Sequence, residues 1–260
     1  IPVGLVISSW GGSRIESWMN EKTLASIDGV DIEAARSSKL KMHHRLGCMY
    51  DTMLWPVRNF TARGFLWYQG ESNIFNYYCY APMMTAMVQL WREVWEAPNM
   101  PFYYVQIAPH KYKDSQDTDA ALLREAQIKA LEIIPNSGMV STADIGDEFC
   151  IHPPQKDVVG LRLATLALTK TYNICGLPST GPTMTKVNYS EGKAIVTFDN
   201  ASAGLTPAFC NLKGFEIAGA DKKFYPAQAQ IIDRTPTVRV WSEQVEQPIC
   251  LLYTSPSPRD

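Results

Sequence analysis

Short apolar runs alternate with longer amphipathic stretches along the first two thirds of the chain. The runs lie at residues 2–7, 64–68, 102–107 and 139–143 and contain few polar residues, as is typical of parallel strands that are buried on both faces. Stretches with helical spacing lie between them. This alternation predicts an α/β fold, in which helices cover a parallel sheet.

Apolar residues in the helical stretches recur at intervals of three and four, which places them on one face of a helix. The first stripe consists of Met84, Met87, Val88, Trp91, Val94 and Trp95. Residues 120–134 and 157–172 repeat the pattern. In the last helix the residues predicted to point inward are Val158, Val159, Leu161 and Leu166. We interpret the methionines and tryptophans of these stripes as core residues.

The pattern changes after residue 177. Short segments of alternating polar and apolar residues follow one another, separated by Gly, Asp, Asn and Pro, and they predict a β-rich module of hairpins. The segments are residues 186–189, 193–198, 215–217, 227–232 and 237–241. We therefore predict an α/β domain at residues 1–177 and a β-rich accessory module at residues 178–249.

The two ends of the chain have the character of cut ends. Residues 250–260 resemble a translated sequencing adapter, so we expect a non-native tail without packed contacts after about residue 248. The chain begins with Ile1, inside an apolar run, rather than with Met. We expect truncation at both ends and an open position in the sheet where a first strand belongs.

Composition excludes several kinds of partner. The chain has 24 Lys and Arg against 26 Asp and Glu and no basic run, so we expect no nucleic-acid partner. No stretch approaches the ~18 consecutive apolar residues of a membrane helix, so we expect no membrane partner. The six cysteines form no C-x-x-C pair and have no zinc-ligand spacing with the four histidines. We expect mostly buried free thiols, no metal and no cofactor.

Three polar clusters follow predicted strands, at the positions where open α/β sheets gather their sites. The first, at residues 8–18, contains Gly11 and Gly12. Adjacent glycines at such a turn let backbone N–H groups point into a cleft and stabilise an oxyanion, although an ordinary tight turn is the alternative. The second, at residues 67–73, places Gln69, Glu71 and Asn73 on one loop. A side-chain amide is a suitable donor to an oxyanion.

The third cluster, at residues 143–154, contains His152 with acidic residues a few positions before it and two prolines directly after it. The prolines are expected to open a helix, which would hold the ring at the carboxyl edge of the sheet. This setting favours a general base over a purely structural histidine.

Six segments resemble successive blocks of sialate O-acetylesterases and the related acetylxylan esterases, all of SGNH-hydrolase type. The segments are VGLVISSWGGSRIESWM, GFLWYQGESN, MPFYYVQIAP, LREAQ, DIGDEFCIHPPQKDVVGLRLA and GFEIAGADKKFYPAQAQI. The blocks WYQGES and IHPP are the specific ones, and FEIAGADKKFYPA favours the sialate group. The resemblance covers nearly all of residues 1–248. It implies an SGNH-hydrolase-like three-layer fold whose parallel sheet lacks its first strand here.

The resemblance also assigns roles to residues. In that family the nucleophilic serine lies in a G-Q-S-N block upstream of the first segment, and this chain contains no such block. The nucleophile is therefore expected upstream of Ile1. The resemblance implies Gly11 or Gly12 as the oxyanion N–H group, Gln69 or, as second choice, Asn73 as the side-chain donor, and His152 as the base.

The acid that orients His152 departs from the family pattern. Many SGNH enzymes place an Asp three residues before the histidine, but this chain has Phe149 there. We expect Asp147 in that role, with Glu148, Asp144 or a backbone carbonyl as alternatives.

The expected function is that of a serine-type carbohydrate O-acetylesterase, with 9-O-acetylated sialic acid as the expected substrate and with Glu71, Asn73 and Arg124 as substrate-binding residues. The fragment itself is expected to be inactive. The alternatives are an acetylxylan esterase and a carbohydrate-binding relative without a nucleophile. The expected location is extracellular or periplasmic, although no signal peptide can be observed in this sequence.

Overall fold

The computed structural model describes residues 3–112, 119–201, 204–206 and 211–253. Its helices are α1 (Glu21–Ala25), α2 (Ile32–Arg36), α3 (Tyr80–Val94), α4 (Asp119–Ile133) and α5 (Lys156–Lys170). Its strands are β1 (Phe65–Tyr68), β2 (Phe102–Val105), β3 (Ser137–Val140), β4 (Thr183–Ser190), β5 (Lys193–Asp199), β6 (Phe215–Ala218), β7 (Phe224–Pro226), β8 (Gln228–Ile231), β9 (Thr237–Trp241) and β10 (Cys250–Tyr253). Short 3₁₀ or π segments lie at Ile15–Trp18, Met42–His44, Tyr50–Leu54, Trp55–Val57 and Glu71–Cys79.

The first three strands form a parallel sheet in the order β1, β2, β3. The side chains of the central strand alternate between two cores. Phe102 and Tyr104 pack with residues of α3 and α4, whereas Tyr103 and Val105 pack with residues of α5. Because successive side chains of a strand point to opposite faces, the sheet is covered on both sides. The predicted α/β fold with three layers is confirmed.

The first predicted strand is absent from the described residues. Residues 3–7 are irregular and exposed, with 76% of Leu5 and 82% of Ile7 accessible to solvent. A strand needs a neighbour that takes up its backbone N–H and C=O groups, and these residues pair with no described strand. The outer edge of β1 is likewise unpaired among the described residues. The prediction of an open position in the sheet did not specify its neighbouring strand.

The last helix shows one error in the predicted core. Val159 and Leu166 are buried, as predicted, but Leu161 is 67% exposed and Leu163 is buried in its place. The reason is the helical period of 3.6 residues. Position 161 lies two residues, or about 200°, from position 159 and faces away from the sheet, whereas positions 163 and 166 return to the inner face.

The C-terminal part consists of two antiparallel sheets, as the prediction of a β-rich module requires. One has the order β4, β5, β9, β8, and the other has the order β10, β6, β7. Their inner side chains form a common core that includes Val196, Ile217 and Val240. No helix or strand lies between α5 and β4, the region of the predicted boundary.

The expectation of an unpacked tail after about residue 248 is wrong for residues 250–253. These residues form β10, which pairs antiparallel with β6. Leu251 packs against the core of the module. An apolar pair of leucines at an open sheet edge gains both backbone hydrogen bonds and burial, whatever the origin of its sequence. Residues 254–260 lie outside the described part of the chain.

The cysteines also differ from the prediction. The five described cysteines are free thiols, but only Cys79 is buried; Cys48 is half-buried, and Cys150, Cys175 and Cys250 are exposed. Burial raises the pKa of the Cys79 thiol to about 11. Cys210 lies outside the described residues. Among the helices of the described residues, none has the length and apolar character that crossing a bilayer would require.

Replacement of Leu166 by Ala should destabilise the fold strongly, because this fully buried side chain fills the space between α5 and the sheet. The free energy of unfolding should fall by about 2–5 kcal/mol, because the removed methyl and methylene groups no longer gain from burial and a cavity remains in their place. Urea unfolding followed by circular dichroism measures the effect. The matched control is Leu161→Ala on the same helix, which should change the free energy of unfolding by less than about 0.5 kcal/mol. Equal effects of both variants would contradict the observed orientation of α5.

Candidate active site

The candidate site lies where the carboxyl ends of the parallel strands meet. The loop after β1 contains Gln69, Glu71 and Asn73, the loop after β2 contains His110, and the segment after β3 leads to His152. The turn with Gly11 and Gly12 lies against the loop after β1 through a hydrogen bond from Ser72 Oγ to Gly12 O of 2.8 Å. The three sequence clusters therefore meet at one edge of the sheet.

A buried carboxylate holds the first two clusters together. Glu16 is 5% exposed, and its Oε2 accepts a hydrogen bond from Asn73 Nδ2 at 2.8 Å. Its Oε1 accepts one from Asn76 Nδ2 at 2.9 Å. Asn73 Oδ1 in turn accepts a hydrogen bond from the backbone N of Ile15 at 2.9 Å. Because a buried charge without partners is costly, these bonds fix both loops relative to each other.

Gln69 belongs to the same network, which conflicts with its predicted role as the oxyanion donor. Its Nε2 donates to Ser13 O at 2.9 Å and to Asn73 Oδ1 at 2.6 Å. Its Oε1 accepts from the Tyr80 hydroxyl at 2.8 Å. A side-chain amide has two hydrogens, and both are used here. In this structure Gln69 supports the loop instead of offering a donor to a ligand.

The position of Asn73 also conflicts with its two predicted roles, which are substrate binding and, as second choice, donation to the oxyanion. The residue is completely buried, and its Nδ2 donates to Glu16 Oε2 and to Asn76 Oδ1. A side chain with no accessible surface cannot touch a sugar. The sequence suggested a reactive loop because polar residues were concentrated there, but part of that polarity serves the buried network.

The loop after β1 needs a glycine at position 70. Its φ is 157°, and a Cβ placed there would lie 2.5 Å from Ile107 Cγ2 and 3.2 Å from Gln127 Nε2. Gln127, on α4, is fully buried; its Oε1 accepts from the Ile107 N–H at 2.9 Å and its Nε2 donates to Gln69 O at 3.3 Å. One side chain of α4 thus joins the ends of β1 and β2.

The turn at Gly11 and Gly12 is exposed, but hydrogen bonds to its backbone restrain it. Gly12 has a φ of 71°, a conformation that glycine adopts at little cost. Its carbonyl oxygen accepts two hydrogen bonds, from Ser72 Oγ and from His44 Nε2 at 2.9 Å. The role of an N–H group of this turn as an oxyanion donor stays a prediction.

Two adjacent histidines line this turn, and the sequence reasoning missed both. His43 Nε2 is 4.0 Å from the position that a Cβ on Gly12 would take, and the rings of His43 and His44 are in edge contact. Burial, followed by the nearby positive charges of Arg14 and other residues, lowers the pKa of His44. Since Gly12 O can only accept, His44 carries its proton on Nε2. No spacing rule in the sequence connects residues 43 and 44 with residue 12.

Glu71, His110 and His152 form an electrostatically coupled group in the site. His152 is exposed and Glu71 is half-buried. Burial raises the pKa of the Glu71 carboxyl, while nearby Lys156, His152 and His110 act on this pKa in the opposite direction. The carboxylate is thus within electrostatic reach of both histidines. Substrate binding by Glu71 stays a prediction, and His110 was not among the predicted site residues.

The acids near His152 have partners that shape its loop. Asp147 Oδ1 accepts hydrogen bonds from the backbone N–H groups of Phe149 and Cys150 at 2.8 and 3.1 Å. Asp144 forms an ion pair with Arg162, which lowers the pKa of its carboxyl. Glu148 Oε1 lies 3.3 Å from Lys111 Nζ. The assignment of Asp147 as the acid that orients His152 stays a prediction.

A close backbone contact brings the loops after β2 and β3 together. A Cβ on Gly146 would lie 2.6 Å from Pro109 Cδ and 2.7 Å from Pro109 O, so only glycine fits this approach. His110, the next residue, has its Nδ1 3.4 Å from Asp147 O. The segment that carries His152 is therefore fixed against the end of β2.

Arg124 lies on α4, one turn before Gln127. It is half-buried, and burial lowers the pKa of its guanidinium. Its backbone carbonyl accepts a hydrogen bond from Gln106 Nε2 at 3.2 Å. Its predicted contact with the substrate stays a prediction. Within the described part of the chain, no group of three or more His, Cys, Asp or Glu residues is arranged to hold a metal ion.

Comparisons with known proteins bear on this site. Residues 1–169 match the family model described as carbohydrate esterase, sialic acid-specific acetylesterase. The chain is 28% identical over 212 residues to the sialate O-acetylesterase of Homo sapiens, covering 75% of this chain and 40% of that protein. It is 27% identical over 243 residues to the sialate O-acetylesterase of Mus musculus, covering 76% and 45%. The chain thus spans less than half the length of these relatives.

A solved structure is similar as well. The crystal structure of a carbohydrate acetylesterase from Xanthomonas citri matches this structure with a TM-score of 0.80 and 34% sequence identity. The match covers 95% of this chain and 54% of that chain. The likeness extends through the parallel sheet and the β-rich module, and it supports the predicted fold class.

Replacement of Glu16 by Gln should destabilise the protein although the shape is kept. The new NH₂ group would face an Asn NH₂ donor, so that two donors oppose each other in a buried place and one loses its acceptor. We expect a loss of about 1–3 kcal/mol in the free energy of unfolding, measured in urea. Glu33→Gln is the control, because the Glu33 side chain is 83% exposed. A loss no larger than that of the control would contradict the structural role of the network.

Proposed function

Because the chain belongs to the carbohydrate esterase family of sialic acid-specific acetylesterases, we propose that it is part of a serine-type O-acetylesterase that removes acetyl groups from sugar hydroxyls. The observation that carries the proposal is the pair of hydrogen bonds to Gly12 O. They hold an exposed glycine turn beside the loop of Glu71, which is within electrostatic reach of His152. An oxyanion turn and a base at one sheet edge are two of the three groups that serine-type ester hydrolysis requires, and the nucleophile is the third.

The proposed reaction follows the serine-hydrolase scheme. A serine hydroxyl attacks the acetyl carbonyl while His152 accepts its proton. The negative charge that develops on the carbonyl oxygen is stabilised by an N–H group of the turn at Gly11 and Gly12. Collapse of this intermediate breaks the bond between the acetyl carbon and the sugar oxygen. The sugar oxygen takes the proton from His152 and leaves as a hydroxyl, and the acetyl group stays on the serine. Water, activated by the same histidine, then releases acetate from the serine.

The serine is proposed to lie in a segment before Ile1. Two observations support this: the sequence contains no G-Q-S-N block, and the outer edge of β1 pairs with no described strand. A strand added beside β1 would end at the same sheet edge as the other loops. The proposed substrate is 9-O-acetylated sialic acid, with Glu71 and Arg124 as binding residues. The family description and the names of the relatives support this choice.

Two other functions predict different results. An acetylxylan esterase would favour acetylated xylan over an acetylated sialic acid. A carbohydrate-binding relative would lack a nucleophile even in the longer protein, and the absence of a G-Q-S-N block from this chain is the observation that favours it. Rates of acetate release from both substrates, measured with a protein that includes the segment before Ile1, distinguish the three functions.

The 260-residue chain should release no acetate from an aryl acetate above the level of its His152→Ala variant, because its base has no serine to activate. Acetate release at pH 7 is measured with matched protein concentrations. Turnover that disappears in the His152 variant would instead reveal a nucleophile within these residues.

In a longer protein that contains the nucleophile, His152→Ala should lower kcat by about 10⁴-fold, since a serine hydroxyl is a poor nucleophile without a base. Asp147→Asn should approach this loss if Asp147 orients the imidazole. The matched control is Glu148→Gln on the same loop, whose carboxylate lies beside Lys111 and whose loss should change kcat by no more than a few-fold. Folding of each variant is checked by circular dichroism. A normal rate in the His152 variant would refute the assignment of the base.

A further inference from the structure

We propose that Arg14 binds the carboxylate of the sugar and so selects an anionic sugar over a neutral one. This inference rests on the proposed function, because it concerns the substrate of the same site. Arg14 would then determine specificity without taking part in the proposed proton transfer. Arg14 combines three features: its position beside the glycine turn, a charge without a partner among the described residues, and an aromatic surface around it.

Arg14 lies directly beside the exposed glycine turn. It follows Gly12 by two residues, and its backbone N–H donates to His43 O at 3.2 Å. The Cζ atom of its guanidinium lies 4.4 Å from the centre of the Phe75 ring. Phe75 belongs to the 3₁₀ segment Glu71–Cys79, which contains the Ser72 that bonds Gly12 O. The guanidinium is therefore at the rim of the proposed oxyanion site.

The charge of Arg14 has no counterpart among the described residues. Its guanidinium takes part in no hydrogen bond or ion pair there, and its Nε is enclosed without a partner. Two other partly or fully buried arginines of the described residues do have partners. Arg162 pairs with Asp144, and Arg92 donates to the carbonyl oxygens of Met100 and Pro135. A half-buried cation that keeps free donors is suited to an anionic ligand, because a carboxylate accepts two parallel N–H bonds from a guanidinium.

The surroundings favour an anion with an apolar face. Phe75 is 50% exposed and Trp10 is 46% exposed. The Trp10 indole is stacked on the His43 ring with centroids 6.0 Å apart. Exposed rings of this kind can pack against the C–H groups of a sugar ring. The positive charges of Arg14 and Lys41 also act at His44, where they lower its pKa, so this side of the site carries a positive field.

The substrate class follows from this chemistry. A sugar acid can place its ring on the aromatic surface and its carboxylate on Arg14, while an acetylated hydroxyl reaches the glycine turn. A neutral sugar such as xylose has no group that would replace the carboxylate. The Arg14 contact therefore distinguishes an acidic sugar ester from a xylan ester.

Binding to the 260-residue chain is the test, since it needs no nucleophile. The probes are the methyl α-glycoside of N-acetylneuraminic acid and the C1 methyl ester of the same glycoside, which removes the charge but keeps the ring. NMR titration of the wild type should give a Kd about tenfold lower for the acid than for the ester, as one charge-assisted contact would produce. The preference should shrink as salt is raised from 20 to 500 mM.

Variants separate recognition from folding. Arg14→Met should remove the preference for the acid and leave the Kd of the ester unchanged, whereas Arg14→Lys should retain part of the preference. The control is Arg58→Met, because Arg58 also lies over an aromatic ring, that of Trp55 at 4.2 Å. This variant should bind both probes like the wild type. Thermal unfolding of each variant monitors stability.

Several outcomes would overturn the inference. These are equal binding of acid and ester by the wild type, an unchanged preference in Arg14→Met, an equal loss of both ligands in that variant, and no binding of the acid at all. Hydrolysis of an acetylated sugar by the longer protein would, in any of these cases, leave the esterase proposal standing. Conversely, a charge-dependent preference without hydrolysis by the longer protein would support the binding role of Arg14 and refute the proposed enzyme.

Discussion

The buried carboxylate of Glu16 is the constraint on which the site depends. Its two oxygens accept from Asn73 and Asn76, and Asn73 in turn accepts from Gln69 and from the Ile15 backbone. Partly satisfied buried networks are costly, and fully satisfied ones fix a single arrangement. The N-terminal segment, which contributes no strand to the parallel sheet, is positioned on the sheet edge through these bonds. The same hydrogen bonds position the turn at Gly11 and Gly12.

Sequence patterns predicted the layers of the fold because the spacing of apolar residues along each helix and strand matches the faces that are buried. The parallel strands were recognised since continuous apolar runs need cover on both faces, and β2 has that cover. The pattern gave wrong predictions where the burial of a segment depends on a neighbouring strand. Residues 3–7 have the composition of a strand but no described neighbour, and residues 250–253 found a neighbour in β6 that their sequence did not reveal.

The sequence predicted the location of the site better than the roles of its residues. The clusters did converge on one edge, but an Asn or Gln in a polar loop has the same appearance in the sequence whether it supports a loop or binds a ligand. Gln69 and Asn73 turned out to be supports, since their donors are already used. His43, His44, His110 and Arg14 were missed because each comes near the site through a tertiary contact. No interval along the chain encodes such contacts.

The double hydrogen bond to Gly12 O has a thermodynamic consequence for the proposed reaction. A glycine turn on the surface would normally sample many conformations, and binding an ester would have to order it at a cost of about 1–2 kcal/mol per residue in conformational entropy. Here donors from two separate segments, Ser72 and His44, restrain the peptide group before any ligand arrives. The ordering is completed during folding. A preorganised dipole of this kind needs little reorganisation when charge develops on the substrate.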